Sequence, residues 1–463
     1  MMLADGDTAA EYPLYPPTVS PPDRSLPLPL FLFRFVRNPL RGIPRTVYEE
    51  PLVAYKSGPA RMVWVTDPGL IERILLHEQD KFPKTPLEKR VFAETLGDGI
   101  LTSEGAAWRW QRRTVAPLFR HADLVTYLPT MVEAADEQLE RWRGGGNGTL
   151  RAVDRDMTAT TFDVIARTMF SGDALAEGAI IQRAGGEFLE STSWEIAASL
   201  LRLPAWVWHP GKPAMRRSAR ELRAAVSSMI ARRRASGTES QDLLGRLMRV
   251  RDPERGEPMS DKQLVDNLLT FLVAGHETTA KALMWTLYLL ARAPHWQQRV
   301  RAEVREVAGA TAIRAEHLDR LILTRQVLKE SMRLYPPAPV MTRLTSCDVE
   351  LAGTRIGPRV VIVIPIFAVH RHTKLWKDPS RFDPQRFAPE NEKTLLRTQF
   401  MPFGFGQRTC IGMSFAMMEA TAILATLVRS ARFDWDGHHA PEPISRVTLR
   451  PKGGMPLAVT LIA

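Results

Sequence analysis

The spacing of apolar residues along the chain predicts a mostly helical protein. Apolar positions recur at the interval of an amphipathic helix over about 106–119, 123–142, 156–171, 174–200 and 214–235. Further helices are predicted at about 294–308, 323–334 and 411–430. The last of these is apolar on nearly all sides, which is typical of a buried helix.

The longest predicted helix runs from Ser260 to about Arg292. Ser260 and Gln263 match a capping box, in which the two residues bond each other's backbone N–H groups, and Pro294 ends the pattern. About 33 residues at about 1.5 Å each give a length of about 50 Å. The pattern therefore places one long, capped helix in the second half of the chain.

Alternating apolar and polar residues predict a small β part. Strands are expected within 340–366, where VELAG, RIGP and VVIVIPI occur, and at Arg61–Val65. Thr46–Tyr55 and Pro68–Gln79 are predicted to be helical, whereas 83–105 is expected to be a long irregular loop because it contains several prolines and glycines. The predicted fold class is mainly α with a small β region.

Composition then limits the class of protein. The chain has 463 residues, 44% of them apolar, and its 62 Lys and Arg against 51 Asp and Glu give a net charge of +11. A basic surface favours an acidic partner or an anionic membrane, with a general basic bias as the alternative. No basic run with interleaved aromatics points to a nucleic-acid partner, and two cysteines indicate no disulfide framework.

The N-terminal segment shows no secretory leader. Seven prolines within residues 13–29 predict an extended or disordered arm. The apolar stretch Leu26–Val36 contains Arg34 and is shorter than the about 20 residues that span a bilayer as a helix. We therefore expect residues 1–39 to form an arm packed on the body, with no transmembrane anchor, in a soluble cytoplasmic protein.

Residues 403–412, with the sequence FGFGQRTCIG, carry the strongest chemical signal. The N–H groups of a glycine loop and the positive end of the following helix both favour an ionised Cys410. Phe403 can cover the sulfur, and Arg408 can reach an anionic group. The alternative is an ordinary glycine turn around a structural cysteine.

Residues 274–279, with the sequence AGHETT, lie in the middle of the long helix. The small residues Ala274 and Gly275 leave room beside the helix, and Glu277 and Thr278 follow directly. A buried acid must be paired or solvated, and a threonine competes for backbone hydrogen bonds. We expect a helix distortion that opens a groove here; a polar spot on a half-exposed helix is the alternative.

These two motifs resemble the F-x-x-G-x-R-x-C-x-G and A-G-x-(D/E)-T patterns of the cytochrome P-450 superfamily. The resemblance runs from about residue 40 onward, with five motifs in the family's order. It implies the mostly α cytochrome P-450 fold and a single haem-thiolate catalytic domain over 40–463. It also implies haem b as the cofactor, with Cys410 as the axial ligand of the iron.

The resemblance assigns roles to further residues. It implies that Thr278 contacts the bound dioxygen and that Glu277 relays protons from solvent, so these are the expected catalytic residues. Trp108 and Arg112, four apart in WRWQRR, are expected to bind one haem propionate, and Arg343 the other. The full expected haem-binding set is Cys410, Arg408, Trp108, Arg112, Arg343, Phe403, Gly404 and Ala274.

Glu330 and Arg333, in KESMRLYPP, resemble the E-x-x-R pair of the superfamily, and Arg386 of FDPQRF completes the pattern. The commoner pattern has a glutamate before that arginine, where this chain has Gln385. An i, i+3 pair by itself is usually a weak surface ion pair. The resemblance implies instead a buried network that stabilises the fold on the cysteine side.

The function that the resemblance implies is monooxygenation, in which one atom of O2 enters a lipophilic small molecule such as a fatty acid or terpenoid. Because no flavin or iron–sulfur domain follows the cysteine, electrons are expected from a separate ferredoxin or flavodoxin with its NAD(P)H-dependent reductase. Exposed Arg109, Arg113 and Arg120 are candidates to meet that acidic donor, with solvated helix charges as the alternative.

The expected substrate pocket is apolar, and its candidate residues are Val91, Phe92, Ala274 and Val340. We expect a monomer. Two other functions stay open: a haem-thiolate enzyme that uses or rearranges a peroxide, and a haem- or ligand-binding protein without activity. The presence of both Glu277 and Thr278 argues against the first, and the sequence does not identify the substrate or the subfamily.

Overall fold

The computed structural model describes residues 13–57, 60–201, 203–237, 239–251 and 256–462. Helices make up most of it, as the apolar spacing predicts. The first 12 residues of the predicted N-terminal arm lie outside the described part, so that prediction is tested only from Pro13 onward.

Nine helices are described in the first half of the chain, and the fourth of them carries the WRWQRR segment. In chain order they are α1 (Leu28–Arg37), α2 (Pro68–Glu72), α3 (Pro86–Leu96), α4 (Gly105–Val115), α5 (His121–Val125), α6 (Leu128–Gly144), α7 (Val153–Phe170), α8 (Gly178–Leu200) and α9 (Lys212–Ser236).

The helices of the second half include the two that carry or follow the main motifs. They are α10 (Leu243–Arg249), α11 (Asp261–Arg292), α12 (Pro294–Ala308), α13 (Ala315–Leu318), α14 (Ile322–Leu334), α15 (Ile366–Val369), α16 (Pro389–Glu392) and α17 (Met413–Ser430).

Short strands form four small sheets in the described ranges. The strands are β1 (Leu52–Ser57), β2 (Ala60–Val65), β3 (Thr149–Ala152), β4 (Met341–Leu344), β5 (Val349–Leu351), β6 (Thr354–Ile356), β7 (Val361–Ile364), β8 (Ala431–Asp434), β9 (Pro443–Arg446), β10 (Thr448–Pro451) and β11 (Pro456–Leu461). The sheet orders are β1-β2-β7-β4, β3-β11-β8, β10-β9 and β5-β6. β2 and β7 pair in parallel, with Val63 opposite Ile362, and the other pairs are antiparallel.

The predicted long helix is confirmed as α11, and its capping box is formed. Ser260 Oγ accepts the Gln263 N–H at 3.3 Å, and Gln263 Oε1 accepts the Ser260 N–H at 2.9 Å. α11 packs against α7, α9, α14 and α17, and most of its side chains are buried. The long helix is therefore the centre of the main core.

Two of the predictions for local structure are wrong. The predicted helix Thr46–Tyr55 is a single 3₁₀ turn, Arg45–Tyr48, followed by β1, because β1 pairs with β2 instead. The predicted irregular loop 83–105 contains α3, which begins at Pro86. Proline is well tolerated in the first turn of a helix, where the N–H has no partner, so this proline starts a helix.

An extended N-terminal strap, residues 13–22, crosses the surface beside the end of α14. The carbonyl of Leu14 accepts the Phe382 N–H at 2.9 Å, and the carbonyl of Pro17 accepts the Tyr335 hydroxyl at 2.7 Å. The Tyr335 ring stacks on Trp285 of α11, with ring centroids 3.8 Å apart. The strap thus satisfies a buried phenol of the main core.

The helix α1 follows the strap and packs on the body through the buried Phe31. This confirms the expectation that Leu26–Val36 packs on the protein. Among the helices that the structure describes, none is both long and apolar enough to cross a membrane.

Candidate active site

The cysteine loop is shaped by glycines in the left-handed region. Gly404 and Gly406 have φ of 71° and 76°, and a Cβ on Gly406 would lie 2.2 Å from the carbonyl oxygen of Leu75. The Cys410 N–H donates to the carbonyl of Phe403 at 2.9 Å. Only glycine fits at Gly406, and the resulting turn presents Cys410 just before α17 begins.

The sulfur of Cys410 is accessible although protein surrounds it. Burial raises the pKa of the Cys410 thiol, while a hydrogen bond from the Gly412 N–H and the charge of Arg112 act in the opposite direction. The start of α17 adds a positive helix end. A bound metal cation would complete this stabilisation, because a coordinating thiol is deprotonated outright.

A cation cluster, formed by Lys84, Arg112, Arg343 and Arg408, lies on the same side of the molecule. Arg408 stacks over the ring of Trp108 at 3.9 Å and donates to the carbonyl of Ser103 at 2.9 Å. Lys84 pairs with Glu88 at 3.1 Å. No local sequence pattern points to Lys84, which joins the cluster only through the fold.

The three arginines of the cluster are not neutralised within the protein. In the described part of the chain none of them forms an ion pair with a carboxylate, and Arg343 is buried. Burial and the charges of Arg343 and Arg112 lower the pKa of Arg408 to about 10, although Glu104 and Glu88 act against them. Buried like charges are costly unless an anion pairs with them, so the cluster fits an anionic ligand.

The AGHETT segment presents Ala274 and Thr278 on an open face of α11. Ala274 is exposed in the middle of an otherwise buried helix, and Thr278 Oγ1 donates to the Ala274 carbonyl at 2.9 Å. The helix is continuous from Asp261 to Arg292, so the AGHETT segment does not interrupt it. A Cβ on Gly275 would lie 2.2 Å from Ile165 Cδ1; this glycine makes room for α7 and not for a groove.

Glu277 lies on a different face of α11. A buried acid was expected to be either paired or solvated, and Glu277 is paired with two cations. Arg450 Nη2 lies 2.9 Å and Lys281 Nζ 3.4 Å from its Oε1, and Thr448 Oγ1 donates to the same oxygen at 3.3 Å. Burial raises the pKa of Glu277, but the charges of Lys281 and Arg450 outweigh it and lower that pKa to about 2. Glu277 is therefore a carboxylate at neutral pH.

The Glu277 network reaches the surface. Arg450 Nη1 lies 3.5 Å from Glu190, whose side chain is 70% exposed. Lys281 could have been found from its i, i+4 spacing to Glu277, but the sequence carries no signal for Arg450, which is far along the chain. The network gives Glu277 a charged connection to solvent.

Glu419 is a buried acid that sequence reasoning missed. It is 1% exposed, and neither carboxyl oxygen has a hydrogen bond of good geometry among the described residues. Burial raises the pKa of Glu419 to about 8, and the hydroxyl of Thr279 opposes this. The signal was available, because Glu419 is the one charged residue between Met413 and Val428.

The structure brings Glu330, Arg333 and Arg386 into one buried contact network. Arg333 donates to both oxygens of Glu330 at 2.6 and 2.8 Å, and Arg386 Nε lies 3.5 Å away from Glu330 Oε1. The network connects through His370 to Met401, just before the cysteine loop. Arg333 Nη1 donates to the carbonyl of His370 at 2.8 Å, and His370 Nε2 accepts the Met401 N–H at 3.0 Å.

The candidate pocket residues come from three segments. Val91 is buried in α3, and Phe92 packs against Phe188 of α8 with ring centroids 6.2 Å apart. Val340 is half-buried just before β4. α3 packs against α8 and α11, and Phe92 lies where α3 meets α8.

Comparison with known proteins identifies the relatives of this chain. The family model described as Cytochrome P450 matches residues 21–457. Cyclooctatin synthase of Streptomyces melanosporofaciens is 32% identical over 452 residues, which cover 95% of this chain and 93% of the relative. Cyclooctat-9-en-7-ol 5-monooxygenase of the same organism is 32% identical, covering 87% of each chain. Pentalenene oxygenase of Streptomyces avermitilis is 30% identical, covering 90% of this chain and 92% of the relative.

Proposed function

The chain belongs to the cytochrome P450 family and is a haem-iron monooxygenase, and we propose that it oxidises a terpenoid or a similar lipophilic small molecule. The names of the relatives support this class, since they act on cyclooctat-9-en-7-ol and pentalenene. An apolar wall that includes Val91 and Phe92 suits such a substrate. Ala274 and Val340 complete the proposed pocket.

The observation that carries the proposal is that the three arginines of the cation cluster, on the side of Cys410, form no ion pair with a carboxylate among the residues that the structure describes. Haem b has two propionates, and these carboxylates would supply the negative charge that the three arginines do not find in the described part of the chain. Arg112 and Trp108 would hold one propionate, and Arg343 and Arg408 the other. Cys410 would bind the iron, with Phe403 and Gly404 shaping its loop; when bound, the haem supplies the activation of dioxygen.

Thr278 and Glu277 are proposed as the residues that move protons. Thr278 carries a hydroxyl on the open face of α11, where it donates to the Ala274 carbonyl and, on turning away from it, could donate its one proton to a bound ligand. Glu277 is held by Arg450, which also contacts the exposed Glu190. A carboxylate with a pKa of about 2 takes up a proton only when one of its cations moves away, so movement of Arg450 would open this route.

We infer a separate acidic electron donor, a ferredoxin or flavodoxin with its NAD(P)H-dependent reductase. Arg109, Arg113 and Arg120 support this because they are exposed and form no ion pair with another described residue. Basic side chains of this kind steer an acidic protein in solution. We further propose that residues 40–463 form one catalytic domain and that residues 1–39 are an arm upon it.

The carbon-monoxide difference spectrum of the reduced protein tests the haem-thiolate assignment. We expect a Soret band near about 450 nm that disappears in Cys410→Ser. Cys347→Ser is the matched control, because Cys347 is also a free, accessible cysteine but lies in another loop, and it should keep the band. A band near about 420 nm in the unaltered protein, or its persistence in Cys410→Ser, would contradict thiolate ligation by Cys410.

A further inference from the structure

A buried arginine beside the Glu330 network has no carboxylate partner. Arg371 follows α15 and is 6% exposed, and it forms no ion pair with any residue that the structure describes. Its Nη1 donates to the carbonyl of Phe367 in a long bond of 3.5 Å, and its Nε has no hydrogen-bond partner in the described ranges. A buried charge without a counter-ion is costly, so the fold would gain if an anion reached this side chain.

The guanidinium of Arg371 keeps its charge at neutral pH. Burial lowers the pKa of Arg371 to about 10, which still leaves the side chain protonated at pH 7. Its Cζ lies 3.8 Å from the centroid of the Phe367 ring and 5.8 Å from that of Tyr335. An aromatic face attracts a cation but has no net negative charge, so these rings do not neutralise the arginine.

The carboxylate of Glu330 does not balance this charge, because two other arginines already share it. Arg333 donates to both of its oxygens at 2.6 and 2.8 Å, and the half-buried Arg386 lies 3.5 Å from one of them. Glu330 acts on Arg371 only beyond ion-pair distance. Two buried arginines, Arg333 and Arg371, therefore share this part of the core with one buried carboxylate, which leaves an excess of positive charge.

The hydroxyl of Tyr48 is a second buried donor without an acceptor. Tyr48 is 9% exposed, and its hydroxyl has no hydrogen-bond partner among the residues described. The 3₁₀ turn Arg45–Tyr48 packs against α15. Burial raises the pKa of the Tyr48 hydroxyl and the charge of Arg371 opposes this rise, so the two groups interact. A buried hydroxyl is costly unless it is hydrogen-bonded, and both side chains thus lack the same thing, an acceptor.

We propose that Arg371 and Tyr48 bind a small monovalent anion, of the size of chloride, inside the protein. The ion accepts a charge-assisted hydrogen bond from the guanidinium and a second bond from the hydroxyl. Deep burial favours a monovalent ion over a phosphate or sulfate, because the cost of desolvation rises with charge. Arg371 follows His370, which joins Arg333 to Met401, so the ion stabilises the support of the cysteine loop.

Thermal unfolding of the holoenzyme in sodium chloride and in sodium gluconate at one ionic strength tests the proposal. Equal ionic strength keeps general screening constant, and gluconate is too large for a buried site of one atom. We expect the unfolding midpoint to be at least about 2 °C higher in chloride, because a ligand that binds only the folded state stabilises it. This difference should disappear in Arg371→Met and shrink in Tyr48→Phe.

The matched control is Arg355→Gln, which removes an exposed arginine and should keep the full chloride effect. The carbon-monoxide spectrum of each variant reports whether it is folded. An unchanged chloride effect in either Arg371→Met or Tyr48→Phe would overturn the proposal.

A crystal of the unaltered holoenzyme grown in sodium bromide gives a direct measurement that needs no variant. We expect an anomalous bromide peak in contact with Arg371 Nε and the Tyr48 hydroxyl. Bromide on exposed side chains alone, an adventitious ion only, would overturn the proposal, and so would a water molecule in place of bromide at Arg371.

Discussion

Two buried glutamates, Glu330 beside the cysteine loop and Glu277 on α11, are both paired with two cations. Glu330 has no exposed surface and also accepts the Asp383 N–H at 2.8 Å, so its network is closed within the protein. Glu277 shares Arg450 with Glu190 at the surface, so its network is open. A closed network fixes geometry, whereas an open one can exchange partners and protons.

Glu330→Gln should have the largest effect, because it leaves the buried Arg333 and the half-buried Arg386 without their carboxylate. We expect a loss of about 3–5 kcal/mol in the free energy of unfolding, measured by denaturant titration of the holoprotein. Arg355→Gln, which breaks the exposed pair with Asp348, should cost no more than about 1 kcal/mol. Equal effects of the two substitutions would contradict a structural role for the closed network.

Glu419 extends the comparison to a buried glutamate with no cation. Its pKa of about 8 lies above its ordinary value of 4.5, so the folded protein keeps a proton that the unfolded chain releases. Stability should therefore fall as pH rises from about 5 to about 7, by about 2–3 kcal/mol. Glu419→Gln should remove this fall in thermal unfolding measured across that range. An unaltered slope in the variant would show that Glu419 is ionised in the fold.

Thr278→Ala tests the proposed proton route near Glu277, because it removes the hydroxyl at the open face of α11. We expect NAD(P)H consumption to continue while the amount of product per NAD(P)H falls at least about tenfold. The reason is that no hydroxyl at position 278 remains to pass a proton to the bound ligand. The electrons should appear as hydrogen peroxide, measured alongside product. Thr278→Ser keeps a hydroxyl and should retain most of the coupling; unchanged coupling in Thr278→Ala would argue against the proton role.

The smallest expected effect is on the rate of reduction, and it comes from the exposed arginines Arg109 and Arg113 of α4. Arg109→Glu/Arg113→Glu should slow reduction by a ferredoxin several-fold and weaken its dependence on salt, since exposed charges act mainly on association. Stopped-flow reduction at several ionic strengths measures both. Arg216→Glu/Arg220→Glu on α9 is the charge-matched control. If both double variants slow reduction alike, net charge and not this surface guides the donor.

The closed and open networks also differ in how far the sequence could predict them. Glu330 and Arg333 are three apart on one helix, and Lys281 is four from Glu277, so each pair follows from local spacing. Arg450 joins Glu277 from a distant hairpin, and no local pattern specifies that contact. The contact of Arg450 with Glu277, which links that network to the surface, is therefore seen only in the structure.

The other sequence predictions also succeed where a local pattern specifies the feature and fail where it does not. α11 was predictable because its apolar period and its capping box agree. α3 was missed because Pro86 and the surrounding glycines read as loop signals, although proline also starts helices. Lys84 enters the cation cluster through the fold alone. Glu419 could have been found, since a single charge in an apolar helix is costly unless it is neutral or paired.

The N-terminal strap has a consequence for where this chain can be shortened. The family match begins at residue 21, which would suggest that everything before it is dispensable. A chain cut there would lose the Pro17 carbonyl and leave the buried hydroxyl of Tyr335 without its acceptor, at a cost of about 1–3 kcal/mol. The stable unit therefore begins before the start of the family match and includes Pro17 and Leu14, whose carbonyl accepts the Phe382 N–H.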